Sequence, residues 1–353
     1  MNRVVEEDAR RLACQYGGRD ELRGKTVMVT GATGLIGACL VRTLLRLNSE
    51  HGAGLRVVCV VRDVAGASAL FGPPGDALQY YGHDFMTDAA GFRPAVGADY
   101  IVHLAGPTAS RFFAEHPAAT WLTVAGGTRA VLDYARRCGA RAVVVASTLE
   151  VYGTVDDDRE PLTEPMLGYT DLAEPRSSYP AAKLAAEALC RAYAWEHGVP
   201  VRVARLAQTF GAGVRADDDR VFAQFARAVV AGDDIVLHTT GQLCRCYCYT
   251  TDAVDALLLL LLRGGKGEVY NVANEDTYTP VRDMAQMVCD TFMPGKRPVT
   301  ELRGDMGYSP VTRLRLSAEK LRALGWRPRY GLTEMFARLI ASMRCDGVGN
   351  ELE

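Results

Sequence analysis

A tyrosine and a lysine stand four residues apart in Tyr179-Pro180-Ala181-Ala182-Lys183, a spacing that puts both on one face of a helix. An ammonium beside a phenol favours the phenolate and draws its pKa toward working pH, which suits the phenol to act as a general base on a hydroxyl. A hydroxyl pair, Ser147-Thr148, closes an upstream β-branched run (140–148), where it can bond the same oxygen. A further chemical signal is Thr30-Gly31-Ala32-Thr33-Gly34-Leu35-Ile36-Gly37, where an apolar run gives way to a helical pattern. Glycines there permit a tight turn and let backbone N–H groups at the positive end of a helix approach a pyrophosphate. Gly31, Thr33, Gly34, Leu35, Ile36 and Gly37 are therefore the expected contacts to a dinucleotide.

The next strand-like run ends in Val61-Arg62-Asp63. An acid at such a tip bonds the adenosine ribose, whereas an arginine pairs with a 2′-phosphate. Arg62 occupies the tip with Asp63 one step later, which leans toward NADP. Asp84 and Phe85 come after a short apolar stretch, and Asp84 is placed to accept from the adenine amino group. Leu104, Ala105 and Gly106 come after His103 at another strand end beside the cofactor; His103 reads as structural rather than as a base. Lys183 is also placed to hold a nicotinamide ribose. Cys244, Cys246 and Cys248 alternate along a strand-like run without partnering Cys or His, so they read as apolar thiols and no metal site is expected.

These groups need elements to hold them. From Lys25 onward, short β-branched runs (25–31, 55–63, 98–106, 140–148, 199–211) alternate with longer helical stretches. That alternation predicts an α/β Rossmann architecture, a doubly wound parallel sheet with helices on both faces. Residues 1–22 read as an added amphipathic helical extension for packing or an oligomer contact. Residues 23–211 read as the NAD(P)-binding domain. Residues 212–345 read mainly as a smaller substrate-binding lobe, with the strand near 244–250 returning to the Rossmann sheet.

Composition narrows the classes. The chain has 353 residues, with 40 Lys plus Arg against 42 Asp plus Glu and a formal charge of -2, which argues against nucleic-acid binding through a basic excess. Hydrophobic content of 48% and charged content of 23% are those of a globular protein. The apolar run Ala256–Leu262 falls far short of the ~20 residues that span a bilayer, so no membrane association is expected. No secretion signal is read at the N-terminus, and the ten cysteines read as reduced thiols of a cytoplasmic protein.

Together the motifs resemble the extended short-chain dehydrogenase/reductase superfamily, in its nucleotide-sugar epimerase, dehydratase and decarboxylase branch, over roughly residues 23–340. The resemblance rests on TGATGLIG, HLAG, STLEVYG (147–153), RSSYPAAK (176–183), TFG (209–211) and LGWRP (324–328). It implies a triad of Thr148, Tyr179 and Lys183, in which Tyr179 takes the proton of a sugar 4-hydroxyl and a 4-keto sugar results. Such redox-neutral chemistry leans toward NAD, against the lean of Arg62. Dehydratases of this branch carry Asp-Glu after the threonine, whereas this chain has Leu149-Glu150, which disfavours dehydration. The UDP-glucuronate decarboxylases share Arg-Ser before the tyrosine motif, here Arg176-Ser177, and a substrate loop like 106–117, but have a hydroxyl residue where Leu149 stands. A 4-epimerase asks least of that position, and Glu150 keeps a proton-transfer group available. An NDP-sugar epimerase is therefore the leading expectation, ahead of decarboxylase, dehydratase and NADPH-dependent reductase, with a non-catalytic dinucleotide sensor as the rival of another class. The resemblance also implies Gln208, Arg220 and Arg245 as contacts to a nucleotide-diphosphate sugar, and a homodimer. Many relatives place an asparagine where Val124 stands.

Overall fold

The computed structural model describes residues 2–155, 160–303 and 312–349. The β-branched runs form parallel strands: β1 (Thr26–Thr30), β2 (Arg56–Val61), β3 (Leu78–Gly82), β4 (Tyr100–His103), β5 (Ala142–Thr148) and β6 (Val201–Leu206). With Val269–Val272 they make a seven-stranded sheet in the order Val269–Val272, β6, β5, β4, β1, β2, β3, each neighbouring pair parallel. Val27–Val29 and Val143–Val145 are buried because helices cover both faces, which is why these strands read as continuous apolar runs. The chain order reverses between β1 and β4. In an open α/β sheet, the crevice at the carboxyl ends of the strands beside such a switch is where ligands bind.

The strand Cys244–Tyr249 does not return to this sheet. It lies in a second sheet, antiparallel to Asn274–Pro280 and parallel to Gln208–Phe210 and Arg313–Leu314, and Val269–Val272 is the strand that rejoins the Rossmann sheet on β6. The reason is that both faces of Cys244–Tyr249 are buried. Cys246 and Cys248 enter the core shared with the Rossmann helices, while Tyr247 and Tyr249 enter the second lobe's core with Phe210, Phe222 and Phe336. A strand buried on both sides carries no pattern that assigns it to one sheet.

The N-terminal extension is a helix, Arg3–Gln15, begun by Asn2, whose Oδ1 accepts from the Val4 and Val5 amides at 3.0 and 3.3 Å. That cap satisfies donors the first turn leaves orphaned. Its buried face (Val4, Asp8, Ala9, Leu12, Ala13) packs on the glycine-motif helix Leu35–His51, on Thr250–Arg263 and on the C-terminal helix Leu332–Gly349. Among the described residues no helix is long and apolar enough to cross a membrane.

Trp326, from LGWRP, is buried and donates from Nε1 to the Asp252 carbonyl at 3.0 Å, while the Asp252 carboxylate accepts from the Arg329 and Tyr330 amides. This contact fastens the C-terminal segment to the start of Thr250–Arg263. Trp326→Ala is expected to lower stability by about 3–5 kcal/mol through the cavity it leaves, measured as an earlier midpoint in denaturant unfolding.

Candidate active site

A cavity of ≈ 1260 Å³ opens along the carboxyl ends of the sheet and under the second lobe, larger than the ~300–1,000 Å³ of a usual small-molecule site. Every residue singled out above for catalysis, cofactor or substrate lines it.

Its dinucleotide end is built by backbone crowding. Gly31 has φ +66°, and a Cβ there would meet the Leu104 and Ala105 backbone at 2.9 Å. A Cβ on Gly37 would stand 2.2 Å from the Gly31 carbonyl oxygen. The turn therefore closes only with glycine at these positions, and it delivers Leu35, Ile36 and Gly37 as the first turn of Leu35–His51. Thr30 Oγ1 accepts from the Leu104 and Ala105 amides, both at 3.2 Å, and bonds His103 Nδ1 at 2.7 Å. Burial and the nearby Lys183 charge hold His103 down to about 3, so it is neutral and structural. Asp63 caps the helix Val64–Phe71 by accepting from the Gly66 amide at 2.9 Å, while Arg62 lines the cavity. Asp84 accepts from the Met86 amide. Phe85 sits in an aromatic cluster with His83, Phe92 and His103.

The chemical end gathers Thr148, at the tip of β5, and Tyr179 and Lys183, from the helix Ser178–Glu196. Lys183 Nζ donates to the Ala146 carbonyl at 2.8 Å and lies 5.9 Å from the Tyr179 ring centre. Burial pushes the phenol well above its ordinary pKa, Glu150 adding to the rise. A hydrogen bond with Thr148 and the charges of Arg176 and Arg220 act against it. The expectation that the ammonium sets the phenol's pKa is thus corrected. Burial prevails, and the opposing charges are guanidinium groups. Burial likewise brings Lys183 down to about 8, with Glu187 opposing.

Glu150 is not a free acid. Its carboxylate accepts from both terminal nitrogens of Arg176, at 2.8 and 3.2 Å, and Leu149 beside it is buried. Arg220 lines the cavity with its guanidinium on Asp218, Nε to Oδ1 at 3.0 Å. Arg245 is buried and donates to the Thr312 carbonyl at 2.8 Å and to its hydroxyl. Gln208 opens Gln208–Phe210 at the cavity wall.

Some cavity residues carry no signal of their own in the sequence, Phe113 falling only within the substrate-loop likeness of 106–117. Phe113 stacks on Tyr179, ring centres 4.1 Å apart and planes within 1°. Arg176 is visible there only as part of a family motif. Thr123 lines the cavity, buried, its Oγ1 without a hydrogen-bond partner among the described residues. Leu122–Gly126 is a π-helical turn, a feature common at functional sites. Val124 packs instead on Ala182 and Ala186 of the Tyr179 helix. The aromatic and hydroxyl side chains at 113 and 123 lie in helical stretches whose period alone does not show which face meets a cavity.

The glycine cradle, which a Cβ at Gly31 or Gly37 would fill, fits a bound dinucleotide at its end of the cavity. The sequence model of the NAD dependent epimerase/dehydratase family matches residues 27–273. The chain is 29% identical over 311 residues to UDP-glucuronic acid decarboxylase 6 of Arabidopsis thaliana, covering 87% of this chain and 85% of that protein. Its fold matches UDP-glucose 4-epimerase of Thermotoga maritima, solved with UDP-glucose, at a TM-score of 0.76 and 23% identity, covering 93% of this chain and 100% of that one. It also matches a dTDP-glucose 4,6-dehydratase of Streptomyces venezuelae, solved with NAD bound, at a TM-score of 0.74 and 26% identity, covering 90% and 97%.

Lys183, with a folded pKa near 8 against an ordinary 10.5, makes stability rise with pH between those values, since the unfolded chain binds the extra proton there. Lys183→Met is expected to raise stability at pH 7 by on the order of 1–3 kcal/mol and to flatten that rise. Denaturant midpoints measured from pH 7 to 10 check both.

Proposed function

The chain belongs to the NAD dependent epimerase/dehydratase family, and from that premise we propose that it is an NDP-sugar epimerase working through a 4-keto sugar. The observation that carries the reading is the continuity of one cavity from the glycine turn through Thr148, Tyr179 and Lys183 to Arg220, room for a dinucleotide and a sugar nucleotide together. Gly31 and Thr33–Gly37 would hold the pyrophosphate, Asp84 and Phe85 the adenine end, Leu104–Gly106 the dinucleotide's inner edge, and Lys183 the nicotinamide ribose. A bound nicotinamide supplies a reversible hydride acceptor. Tyr179 takes and later returns the proton of the sugar hydroxyl, Thr148 bonds that oxygen, and Arg220, Arg245 and Gln208 meet the nucleotide diphosphate. An arginine suits that role because it bonds phosphate oxygens in a fork.

The fate of the ketone separates the branch members. Glu150 is tied to Arg176 and its neighbour is the buried Leu149, so no acid–base pair stands ready to expel water. Turning the ketone over and restoring the alcohol needs no further side chain, which favours epimerisation. The likeness to a UDP-glucuronic acid decarboxylase supports decarboxylation as the second reading.

Arg62 in the cavity wall, with Asp63 spent on a helix cap, favours the 2′-phosphorylated dinucleotide. Leu122 and Trp195, 69% and 92% exposed, lie with Trp121 and Leu184 along the helices that carry and precede the Tyr–Lys pair, and a second copy of this chain is their proposed cover. The cytoplasm is the proposed compartment.

Incubation with UDP-, dTDP-, CDP- and GDP-sugars, including UDP-glucuronate, tests the reading by mass and NMR. Unchanged mass with inverted stereochemistry is expected; loss of carbon dioxide would move the assignment to decarboxylase, and loss of water would overturn the use made of Leu149. Tyr179→Phe is expected to lower kcat by about 10²–10⁴-fold with dinucleotide affinity retained. Arg62→Ala is expected to weaken NADP binding about tenfold and leave NAD unchanged, read by titration calorimetry.

A further inference from the structure

The N-terminal helix does more than cover apolar surface. Asn2, Val5 and Asp8 line the cavity itself, beside Leu35 and the loop after Gln208–Phe210. Asp8 is buried and accepts from Arg338 Nε at 2.7 Å and from the Tyr249 hydroxyl. The Tyr249 oxygen in turn accepts from the Ala212 amide at 3.4 Å. On a parallel path, Asn2 Nδ2 donates to Ser342 Oγ at 2.8 Å, and that oxygen accepts from the Gly213 amide at 3.0 Å. Gly213 has φ +86°, and a Cβ there would stand 3.3 Å from Val5 Cγ2 and 3.8 Å from Leu35 Cδ1. The first helical turn of the glycine motif, the N-terminal helix and this loop therefore meet at one residue.

Past Gly213 the loop buries Val214 in the second lobe's core; from Arg215 on it is held by its own ion pairs, Arg215 with Asp217 and Asp218 with Arg220, and by Arg227 and Gln224, which donate to the Ala216, Asp218 and Asp219 carbonyls. It ends at Arg220, the N-cap of the helix Val221–Ala231. Anchoring such a loop at its base removes conformational freedom that a ligand would otherwise have to remove on binding.

We propose that the helix Arg3–Gln15 is a positioning element of the substrate site: through Asp8 and Asn2 it fixes the Ala212–Gly213 backbone, and thereby the loop 211–220 that carries Arg220 to the cavity. Glu6 sets the helix against the Rossmann side by pairing with Arg42 and Arg46, the latter at 2.6 Å. Asp8 and Asn2 reach the C-terminal helix on the other side. The helix thus spans the glycine-motif helix and the second lobe where the substrate loop leaves the sheet. The part assigned to Arg220 rests on the proposed nucleotide-sugar reading; the fixing of the loop does not.

The test is the Asn2→Ala, Asp8→Asn double variant, with Asn2→Ala alone as the milder form should the double variant not fold. Amide exchange over 211–220 is expected to quicken at least tenfold while β5 keeps its protection. UDP, measured by calorimetry with dTDP alongside, is expected to bind about tenfold more weakly, and KM for the turned-over sugar nucleotide to rise with kcat within twofold. Unchanged exchange over 211–220, or faster exchange with nucleotide affinity intact, would overturn the proposal. A parent protein that binds neither diphosphate would sink the nucleotide-sugar reading instead, leaving the exchange result to decide the tether.

Discussion

Behind Tyr179 the Lys183 ammonium feels a buried carboxylate–guanidinium pair, Glu187 with Arg205, and the chemical end of the cavity depends on that pair. Glu187, one helical turn beyond Lys183, accepts from Arg205 Nε at 3.0 Å and Nη2 at 2.7 Å and from the Ser147 hydroxyl. All of these residues but Lys183 are buried to within a few per cent. Removing either member of the Glu187–Arg205 pair costs about 3–5 kcal/mol, because it strands the other charge. The pairing also sets geometry. Ser147 precedes Thr148 on β5, Glu187 comes after Lys183 on its helix, and Arg205 stands opposite Ser147 on β6. The register between strand and helix, and so the approach of Thr148 to Tyr179, is fixed from behind by charge and in front by the Lys183 bond to Ala146.

The same network reaches the sheet's edge. Arg205 lies 4.8 Å over the Tyr152 ring and donates to the Glu164 carbonyl. Tyr152 donates to Asn271, whose amide N–H meets the Glu164 carboxylate at 2.8 Å, and the Asn271 side chain donates to the Leu162 and Ser317 carbonyls. Val269–Val272 is therefore held beside β6 by more than its ladder. Ser147, Glu187, Arg205, Tyr152 and Asn271 form one connected set of bonded polar groups behind the chemistry, the arrangement that gives a polar interior rigidity.

The parts of this structure legible in the sequence are those whose physics is local. The Gly31 and Gly37 positions announce a turn that no side chain fits, and the four-residue spacing of Tyr179 and Lys183 places them on one helical face whatever surrounds it. The second sheet was not legible, since Cys244–Tyr249 is buried on both faces and only the rest of the fold decides which cores receive its cysteines and tyrosines. Local reading also failed to see where charges end up. Asp63 is drawn onto a helix cap, Glu150 onto Arg176, and the phenol's pKa answers to burial before it answers to the lysine. The last two depend on neighbours distant in sequence or on depth below the surface, which spacing does not encode, whereas the Asp63 cap reaches only to Gly66 and competes locally with a ribose contact. The π turn at Leu122–Gly126 breaks the very periodicity that a helical reading assumes, which hid Thr123.

Arg220 and Arg245 already bond neighbours in the cavity wall, and this shapes what a ligand gains. On the proposed reading a diphosphate must exchange with Asp218 for Arg220, so binding replaces one charge-assisted contact by another rather than creating one outright. Such an exchange moderates ground-state affinity, which leaves binding energy for the transition state. It also keeps the guanidinium oriented toward the cavity before any ligand arrives. The same reasoning applies to Glu150 and Arg176: a neutral pair beside Tyr179 contributes orientation and little net field, so the sugar ring meets hydrogen-bonding groups rather than an unbalanced charge. On the proposed reading, a sugar anchored through its diphosphate and facing no unbalanced charge would be free to present either face, which is what inversion at a keto carbon demands.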